Sequence, residues 1–215
     1  MSEEARRRAE IVRIAQTMDR AGFAPTKSGN VSARWRDGLL ITPSGLPYAS
    51  MTADDLVVLD GDGGVRGGTR QPSSEAPLHS AIYRARPDAE AIVHTHSPRA
   101  TALACTRRGI PAFHYMIAFC GGADLRCADY ATFGTEALAD NAVAALDGRK
   151  AALLANHGVV ALGATLAGAY AIASEVENLA GQYLAILAAG LEPVVLDEAE
   201  MDRVAARFGQ YGKSG

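Results

Sequence analysis

Ala91-Ile92-Val93-His94-Thr95-His96-Ser97-Pro98 carries the most informative pattern in this sequence. Its apolar start predicts a buried β-strand, and the closing proline cannot donate to a strand ladder. Side chains two positions apart on a strand point to the same side, so His94 and His96 can bind one metal ion. Imidazole is a good ligand for zinc, and a catalytic zinc typically keeps one coordination position open. At this point a pair of histidines that only makes hydrogen bonds is the alternative.

A second apolar run, Leu153-Leu154-Ala155, leads into Asn156-His157-Gly158. Two buried strands that each end in imidazole are expected where a sheet edge holds a metal, and the glycine would allow a sharp turn. Glu75 follows Ser73-Ser74 and opens a predicted helix, where the positive end of the helix dipole stabilises a carboxylate. We therefore predict a metal site formed by His94, His96, His157 and Glu75. Glu75 would also act as a general base, with helix capping as its alternative role.

Two further histidines, His79 and His114, are weighed as possible metal ligands. His79 lies one helical turn after Glu75 on the same face and could compete as a ligand. For both His79 and His114 we favour a hydrogen-bonded structural role.

Three short turns are candidates for binding an anion: Ser28-Gly29-Asn30, Thr42-Pro43-Ser44-Gly45 and Ser73-Ser74. Such turns present backbone N–H groups and hydroxyls in a concave arrangement, and the serine pair also precedes a helix N-terminus. Each turn taken alone is more often a plain turn or cap. Lys27 adds a nearby positive charge, although a solvated surface lysine is the default interpretation.

Composition and charge exclude several classes of protein. The chain has 215 residues, 48% hydrophobic and 21% charged, with a net charge of −3 and a pI near 6.0. It therefore has no basic field for nucleic acid or anionic lipid. No secretory leader is visible, and the Ala-rich stretch 166–190 contains Glu175 and Glu177, which favours a buried helix over a membrane span. Three cysteines without CxxC spacing fit reduced thiols, so we expect a cytoplasmic protein.

The alternation of helical and strand patterns predicts one α/β domain over residues 1–215. Helices are predicted at about 3–21, 76–86, 99–106, 135–146 and 166–189. Strands are predicted at 31–35, 39–42, 57–59, 91–96, 151–154 and 159–162. Because several strands are short and joined by hairpin turns, we expect a central mixed or antiparallel sheet flanked by helices.

Several motifs together resemble one known family. They are Ser28-Gly29-Asn30-Val31-Ser32, the segment 40–48, Pro72-Ser73-Ser74-Glu75, the His94 and His96 pair, Asn156-His157-Gly158, and the segments 114–118 and 130–135. In this order, and over nearly the whole chain, they are similar to the class II aldolase/adducin family. The resemblance implies a three-layer αβα domain. It also implies a lyase that cleaves a ketose 1-phosphate, such as L-fuculose 1-phosphate, to dihydroxyacetone phosphate and an aldehyde through a zinc-stabilised enediolate.

The resemblance also implies roles for individual residues. His94, His96 and His157 match zinc ligands, and Glu75 matches a carboxylate that binds zinc and then moves a substrate proton. The positions that match phosphate-binding loops are Gly29, Asn30, Ser44, Gly45, Ser73 and Ser74. Tyr115 matches a tyrosine from a neighbouring subunit that protonates the aldehyde oxygen. Phe133 matches an aromatic near the aldehyde, and Tyr211 a mobile C-terminal tyrosine that closes over the site. The implied assembly is a homotetramer with sites at subunit interfaces.

The resemblance leaves alternatives open. Pentulose-5-phosphate 4-epimerases and sugar-phosphate dehydratases or decarboxylases use the same scaffold and ligands, whereas a non-catalytic adducin-like association domain would lack the ligands. Zn²⁺ is expected, but Mn²⁺, Co²⁺ or Fe²⁺ suit the same donors. The chain departs from the aldolase pattern at Asn156, Ser44 and Phe119. These changes leave the metal ligands intact, so they affect the sugar preferred rather than the chemistry.

Overall fold

A mixed eight-stranded sheet forms the centre of the molecule in the computed structural model, which describes residues 1–210. Its strands are β1 (Asn30–Trp35), β2 (Gly38–Ile41), β3 (Val57–Leu59), β4 (Val65–Gly67), β5 (Ala91–Thr95), β6 (Cys127–Ala128), β7 (Ala151–Leu154) and β8 (Gly158–Gly163). The order across the sheet is β4-β3-β2-β1-β5-β8-β7-β6. Among these strands β6 and β7 run parallel and every other neighbouring pair is antiparallel.

Helices cover both faces of the sheet and make a three-layer α/β domain. They are α1 (Glu3–Arg20), α2 (Ala76–Ala85), α3 (Pro98–Ala104), α4 (Glu136–Ala145), α5 (Leu166–Ala188) and α6 (Glu198–Gln210). One core lies between the sheet and α1, α3 and α5, and the other between the sheet and the pair α2 and α4. This arrangement confirms the predicted fold class.

Strand β5 shows how the sequence pattern produces the two cores. Successive side chains on a strand point to opposite faces. Ala91 and Val93 accordingly pack into the core with α1, α3 and α5, while Ile92 packs into the core with α2. Because both faces are covered, the whole strand is apolar until His94, which follows Ile92 on the α2 face.

The predicted helices and strands are all present, with ends shifted by a few residues at most. Residues 159–162, expected to continue the sheet, lie in β8. Among the strands and α-helices of residues 1–210, three were not predicted. The edge strands β4 and β6 have three and two residues, too few for a periodic pattern, while α6 buries Met201 among exposed polar residues.

The start of α3 is held by a residue from α5. Ser97, which precedes α3, does not cap it with its side chain. Instead Glu177, 6% exposed, accepts hydrogen bonds from the backbone N–H groups of Arg99 (3.0 Å, Oε1) and Ala100 (2.9 Å, Oε2). A carboxylate at this position satisfies free donors and the helix dipole. This explains why a long apolar helix contains a buried glutamate. Within residues 1–210, no helix combines the length and apolarity needed to cross a membrane.

Candidate metal site and substrate pocket

The sheet topology brings the four predicted ligands together. His94 lies near the end of β5, and its Cα pairs with that of Asn30 at the start of β1. Strand β8 lies between β5 and β7, so the β7–β8 turn places His157 beside the end of β5. Glu75 immediately precedes α2, which packs over the same face. Residues distant in sequence therefore meet at one end of the strands.

The ligand atoms face one another at short distances. Glu75 Oε2 lies 3.0 Å from His94 Nε2, and Glu75 Oε1 lies 3.1 Å from His157 Nε2. The Nε2 atoms of His94 and His96 are 3.0 Å apart. The three imidazole rings are mutually edge-on, with centroids 4.9 Å apart in each pair. One ligand atom from each of the four residues lies within 4.8 Å of all the others.

This donor set fits a divalent metal ion. The Nδ1 atom of His94 is 2.8 Å from the carbonyl oxygen of Val159, to which it donates as an N–H group, leaving Nε2 with a free lone pair. Glu75 Oε1 is buried and accepts no hydrogen bond among the described residues. Three imidazole nitrogens and one carboxylate facing a common point are the ligands of catalytic zinc and related ions.

Electrostatics in the cluster favour an ionised carboxylate. Burial opposes the charge on Glu75, but His94 and His157 lower its pKa well below the ordinary value. Burial also opposes a charge on His94, but Glu75 raises the pKa of His94 above its usual range. His96 differs, because burial and then the charge of His94 lower its pKa to about 3. Glu75 is 5% and His94 0% exposed, so solvent screens this pairing weakly.

Two glycines are required by close backbone contacts. A Cβ on Gly29, whose φ is +83°, would lie 2.6 Å from the carbonyl oxygen of His94. A Cβ on Gly158 would lie 2.3 Å from the carbonyl oxygen of Thr95. The expected reason for Gly158, a sharp turn after the ligand, was wrong. The left-handed residue of this turn is Asn156, with φ of 54°, whereas Gly158 is needed for the close approach of β8 to β5.

A cavity of about 290 Å³ opens beside the cluster. Its lining includes Glu75, His96 and His157, and it brings together every predicted phosphate-loop residue and the predicted aromatic: Gly29, Asn30, Ser44, Gly45, Ser73, Ser74 and Phe133. Asn30, however, has its side-chain amide engaged inside the protein, with Nδ2 donating to Ser73 Oγ and to Glu75 Oε2, each at 2.9 Å. The volume suits a small substrate with a few polar contacts.

Tyr115 and Phe119 do not line this cavity in a single chain. Tyr115 is 51% exposed and lies in a 3₁₀ helix (Tyr115–Cys120) that packs against α6. It lines a separate cavity of about 600 Å³ together with Phe119 and Phe208. Phe119 is therefore placed away from the metal site, against Phe208 at 5.9 Å between ring centroids. Tyr211 lies outside the described residues.

Sequence reasoning missed Tyr48 and Tyr130, and its default interpretation of Lys27 was a solvated surface lysine. Tyr48 is 3% exposed, and its hydroxyl donates to the carbonyl oxygen of Gly29 at 2.6 Å, which fixes the loop. Lys27 and Tyr130 line the cavity, and Lys27 also has a positive φ of 69°. Left-handed backbone at non-glycine residues is enriched at functional sites, but it is not visible in a sequence.

The fold and the metal-ligand cluster together define a class of protein. The sequence profile described as "Class II Aldolase and Adducin N-terminal domain" matches residues 9–184. The chain belongs to this family, whose class II aldolases depend on a metal.

Individual relatives are aldolases that act on sugar phosphates. The chain is 49% identical to a 5-methylthioribulose-1-phosphate/5-deoxyribulose-1-phosphate aldolase of Rhodospirillum rubrum, covering 94% of this chain and 90% of that one. It is 44% identical to the L-fuculose phosphate aldolase of Escherichia coli K12, covering 94% of each. A solved structure of L-fuculose 1-phosphate aldolase matches with a TM-score of 0.91 and 41% identity, covering 97% of this chain and 98% of that one. The enzyme is thus a class II aldolase.

Proposed function

We propose that this protein is a metal-dependent aldolase that reversibly cleaves a ketose 1-phosphate to dihydroxyacetone phosphate and an aldehyde. The observation that carries the proposal is the cluster of Glu75, His94, His96 and His157 beside a cavity lined by Ser and Gly turns. The three histidines and the glutamate suit a divalent cation, and the Ser and Gly turns suit a phosphate. A ketose 1-phosphate presents both chemical features within one small molecule.

In this proposal the three histidines and Glu75 hold the ion, with Zn²⁺ as first choice and Mn²⁺, Co²⁺ or Fe²⁺ as alternatives. A divalent ion held there would act as a Lewis acid that stabilises negative charge on the substrate. In the synthesis direction Glu75 removes a proton from the hydroxymethyl carbon of dihydroxyacetone phosphate. In the cleavage direction Glu75 returns that proton to the same carbon after the carbon–carbon bond has broken.

The loops would hold the phosphate and thereby place the reacting carbons. Ser44, Ser73 and Ser74 offer hydroxyls and backbone N–H groups, and Gly29 and Gly45 allow the backbone to come close to the phosphate. Asn30 also lines the cavity, and its amide would hold the Ser73 hydroxyl in place. Fixing the phosphate end converts an encounter into a positioned reaction, which is a large part of the rate gain. Phe133, 64% exposed at the cavity, would contact the aldehyde portion.

Tyr115 would act from a neighbouring subunit. It is half exposed and lies outside the metal-site cavity of its own chain, which supports a contribution across a subunit boundary. Its phenol O–H would donate a proton to the aldehyde oxygen during bond formation and take it back during cleavage. Tyr211 would close the site. This proposal requires the homotetramer implied by the family resemblance, with active sites at the interfaces.

The names of the relatives support two candidate types of substrate. Their names point to L-fuculose 1-phosphate on one side, and to 5-methylthioribulose 1-phosphate or 5-deoxyribulose 1-phosphate on the other. All release dihydroxyacetone phosphate and differ in the aldehyde. Asn156 and Tyr130 line the cavity beside His157 and are the residues that we expect to distinguish the aldehydes.

The test is turnover by the purified, zinc-loaded protein. The three named ketose 1-phosphates are supplied in turn, and release of dihydroxyacetone phosphate is followed by a coupled reductase. We expect release from at least one of them, lost on chelation and in His94→Ala, and restored by zinc in the wild type alone. Protein that binds zinc but releases no dihydroxyacetone phosphate from any of these sugars would overturn the proposal.

A second candidate function is epimerisation of a pentulose 5-phosphate, which uses the same bond cleavage without product release. A solved protein from Klebsiella pneumoniae, described as a putative aldolase/epimerase/decarboxylase, matches with 30% identity and a TM-score of 0.84. Incubation with a pentulose 5-phosphate in D₂O, followed by NMR, tests this alternative. The aldolase proposal predicts no inversion. An adducin-like association domain is disfavoured, because all four ligands are in place.

A further inference from the structure

A buried series of hydrogen bonds connects Tyr83, in the last turns of helix α2, to Glu75, the proposed base. Glu75, His79 and Tyr83 are spaced at i, i+4 and i+8 and therefore lie on one stripe of the helix. Asn30 and Ser32 are spaced at i and i+2 on β1 and face that stripe. All five side chains are at most 6% exposed. The helix and the strand thus join along a row of polar groups in the middle of an otherwise apolar core.

Each contact in the row is short. Tyr83 Oη is 2.9 Å from Ser32 Oγ, and Ser32 Oγ is 2.6 Å from His79 Nδ1. On the other side of the imidazole, His79 Nε2 is 2.5 Å from Asn30 Oδ1. Asn30 Nδ2 then lies 2.9 Å from Glu75 Oε2 and 2.9 Å from Ser73 Oγ.

The chemistry of the groups fixes the direction of these bonds. Burial lowers the pKa of His79 to about 3, so its ring is neutral and has one donor and one acceptor nitrogen. Asn30 cannot turn its amide oxygen toward Glu75, because a carboxylate and a carbonyl would then face each other as acceptors. Its nitrogen must donate to Glu75, and its oxygen must accept from His79 Nε2–H. The Nδ1 atom of His79 then accepts from Ser32, which in turn accepts from Tyr83.

We propose that His79 is a positioning residue for the aldolase reaction. Through Nε2–H it holds the amide of Asn30, so that Asn30 anchors Glu75 Oε2 and leaves Oε1 as the oxygen free to take the substrate proton. Glu75 Oε1 is the buried oxygen without a hydrogen bond among the described residues, in agreement with this division. The inference rests on the proposed function, because it concerns how the base of that reaction is oriented.

The exchange of one proton of dihydroxyacetone phosphate with D₂O provides the test. This half-reaction needs Glu75 and the metal but no aldehyde, so it reports on the base alone. Five zinc-loaded proteins are compared by NMR: wild type, His79→Asn, His79→Gln, His79→Leu and Tyr83→Phe. A glutamine amide reaches the position of Nε2 and can donate to Asn30, whereas the shorter asparagine reaches Ser32 and stops short of Asn30. Tyr83→Phe disturbs the row but keeps the bond between His79 and Asn30.

We expect the kcat for exchange to fall roughly 10–100-fold in His79→Asn, the range seen when a group that orients a metal-site residue is lost. KM for dihydroxyacetone phosphate and the zinc content should stay near the wild-type values. His79→Gln should recover most of the exchange rate, and Tyr83→Phe should exchange like the wild type although it melts at a lower temperature. His79→Leu, which has no donor, is expected to match His79→Asn and serves as a second measurement.

Two results would overturn the inference. In the first, His79→Asn and His79→Leu exchange at the wild-type rate. In the second, the exchange rate follows the melting temperature across all variants, Tyr83→Phe included, which would make the row structural only. Zinc-loaded wild type that shows no exchange would instead remove the proposed function and this inference together.

Discussion

Replacement of Gly29 by alanine should weaken both the fold and the metal site. With φ at +83°, an alanine adopts a left-handed backbone at a cost of about 1–2 kcal/mol. Its Cβ would also lie 2.6 Å from the His94 carbonyl oxygen, a backbone atom of β5, the strand that carries His94 and leads into His96. Relieving such overpacking costs about 1–3 kcal/mol. Gly22 is the matched control, because its φ is +76° and no atom lies within 4 Å of its Cβ position.

The two variants should separate in thermal melts of the chelated proteins. At about 2–4 °C per kcal/mol for a chain of this size, Gly29→Ala should lower Tm by about 4–20 °C and Gly22→Ala by about 2–8 °C. Zinc titration against a chromophoric chelator should show weaker binding in Gly29→Ala and unchanged binding in Gly22→Ala. Equal Tm losses together with equal zinc affinities would refute the argument that Gly29 is needed for the contact with His94.

Three other predictions address the assembly, the pH dependence and the metal. Mixed tetramers made from inactive Glu75→Gln and inactive Tyr115→Phe subunits should regain about one quarter of wild-type activity, since about that share of interfaces combines both intact residues; no recovery after verified mixing would place Tyr115 in its own subunit's site. Burial lowers the pKa of His79 to about 3, so as pH falls from about 6.5 the unfolded chain binds a proton that the native chain does not, and stability falls by up to about 1.4 kcal/mol per pH unit. Urea unfolding of the chelated protein at several pH values gives the free energy of unfolding as a function of pH. This free energy should fall less steeply with decreasing pH in His79→Gln than in the wild type, and equal steepness would contradict a lowered pKa for His79. Chelation should lower Tm, and zinc should restore it in the wild type but not in His157→Ala; calorimetry showing no metal effect in the wild type would exclude a metal at this cluster.

The sequence was sufficient to single out the four residues that the structure brings together, because each lies at or next to the end of a recognisable element. His94 and His96 end an apolar strand, His157 follows another, and Glu75 opens a helix, so local patterns marked all four. The order of the strands was not predictable, because pairing depends on contacts between distant residues. That β8 lies between β5 and β7, and so places His157 beside His94, is visible only in the fold.

The polar row behind Glu75 could also be predicted only in part, because it joins residues that are distant in the sequence. The spacing of His79 and Tyr83 relative to Glu75 could be read as one helix stripe, and His79 was expected to be structural, which its buried hydrogen bonds confirm. Its partners Asn30 and Ser32 could not be identified. The antiparallel register of β1 against β5 decides which residues of β1 face α2, and no local pattern encodes that register.

The position of β8 has a consequence for the order in which the chain is made. His94 and His96 leave the ribosome well before β8, the strand that pairs with β5. They also leave it before Glu177 of α5, which caps helix α3. A nascent chain that ends before β8 lacks the carbonyl group of Val159, to which His94 donates a hydrogen bond. The candidate ligands of a partly synthesised chain are therefore not yet assembled. The proposed metal ion would bind tightly only after the C-terminal half of the chain has emerged.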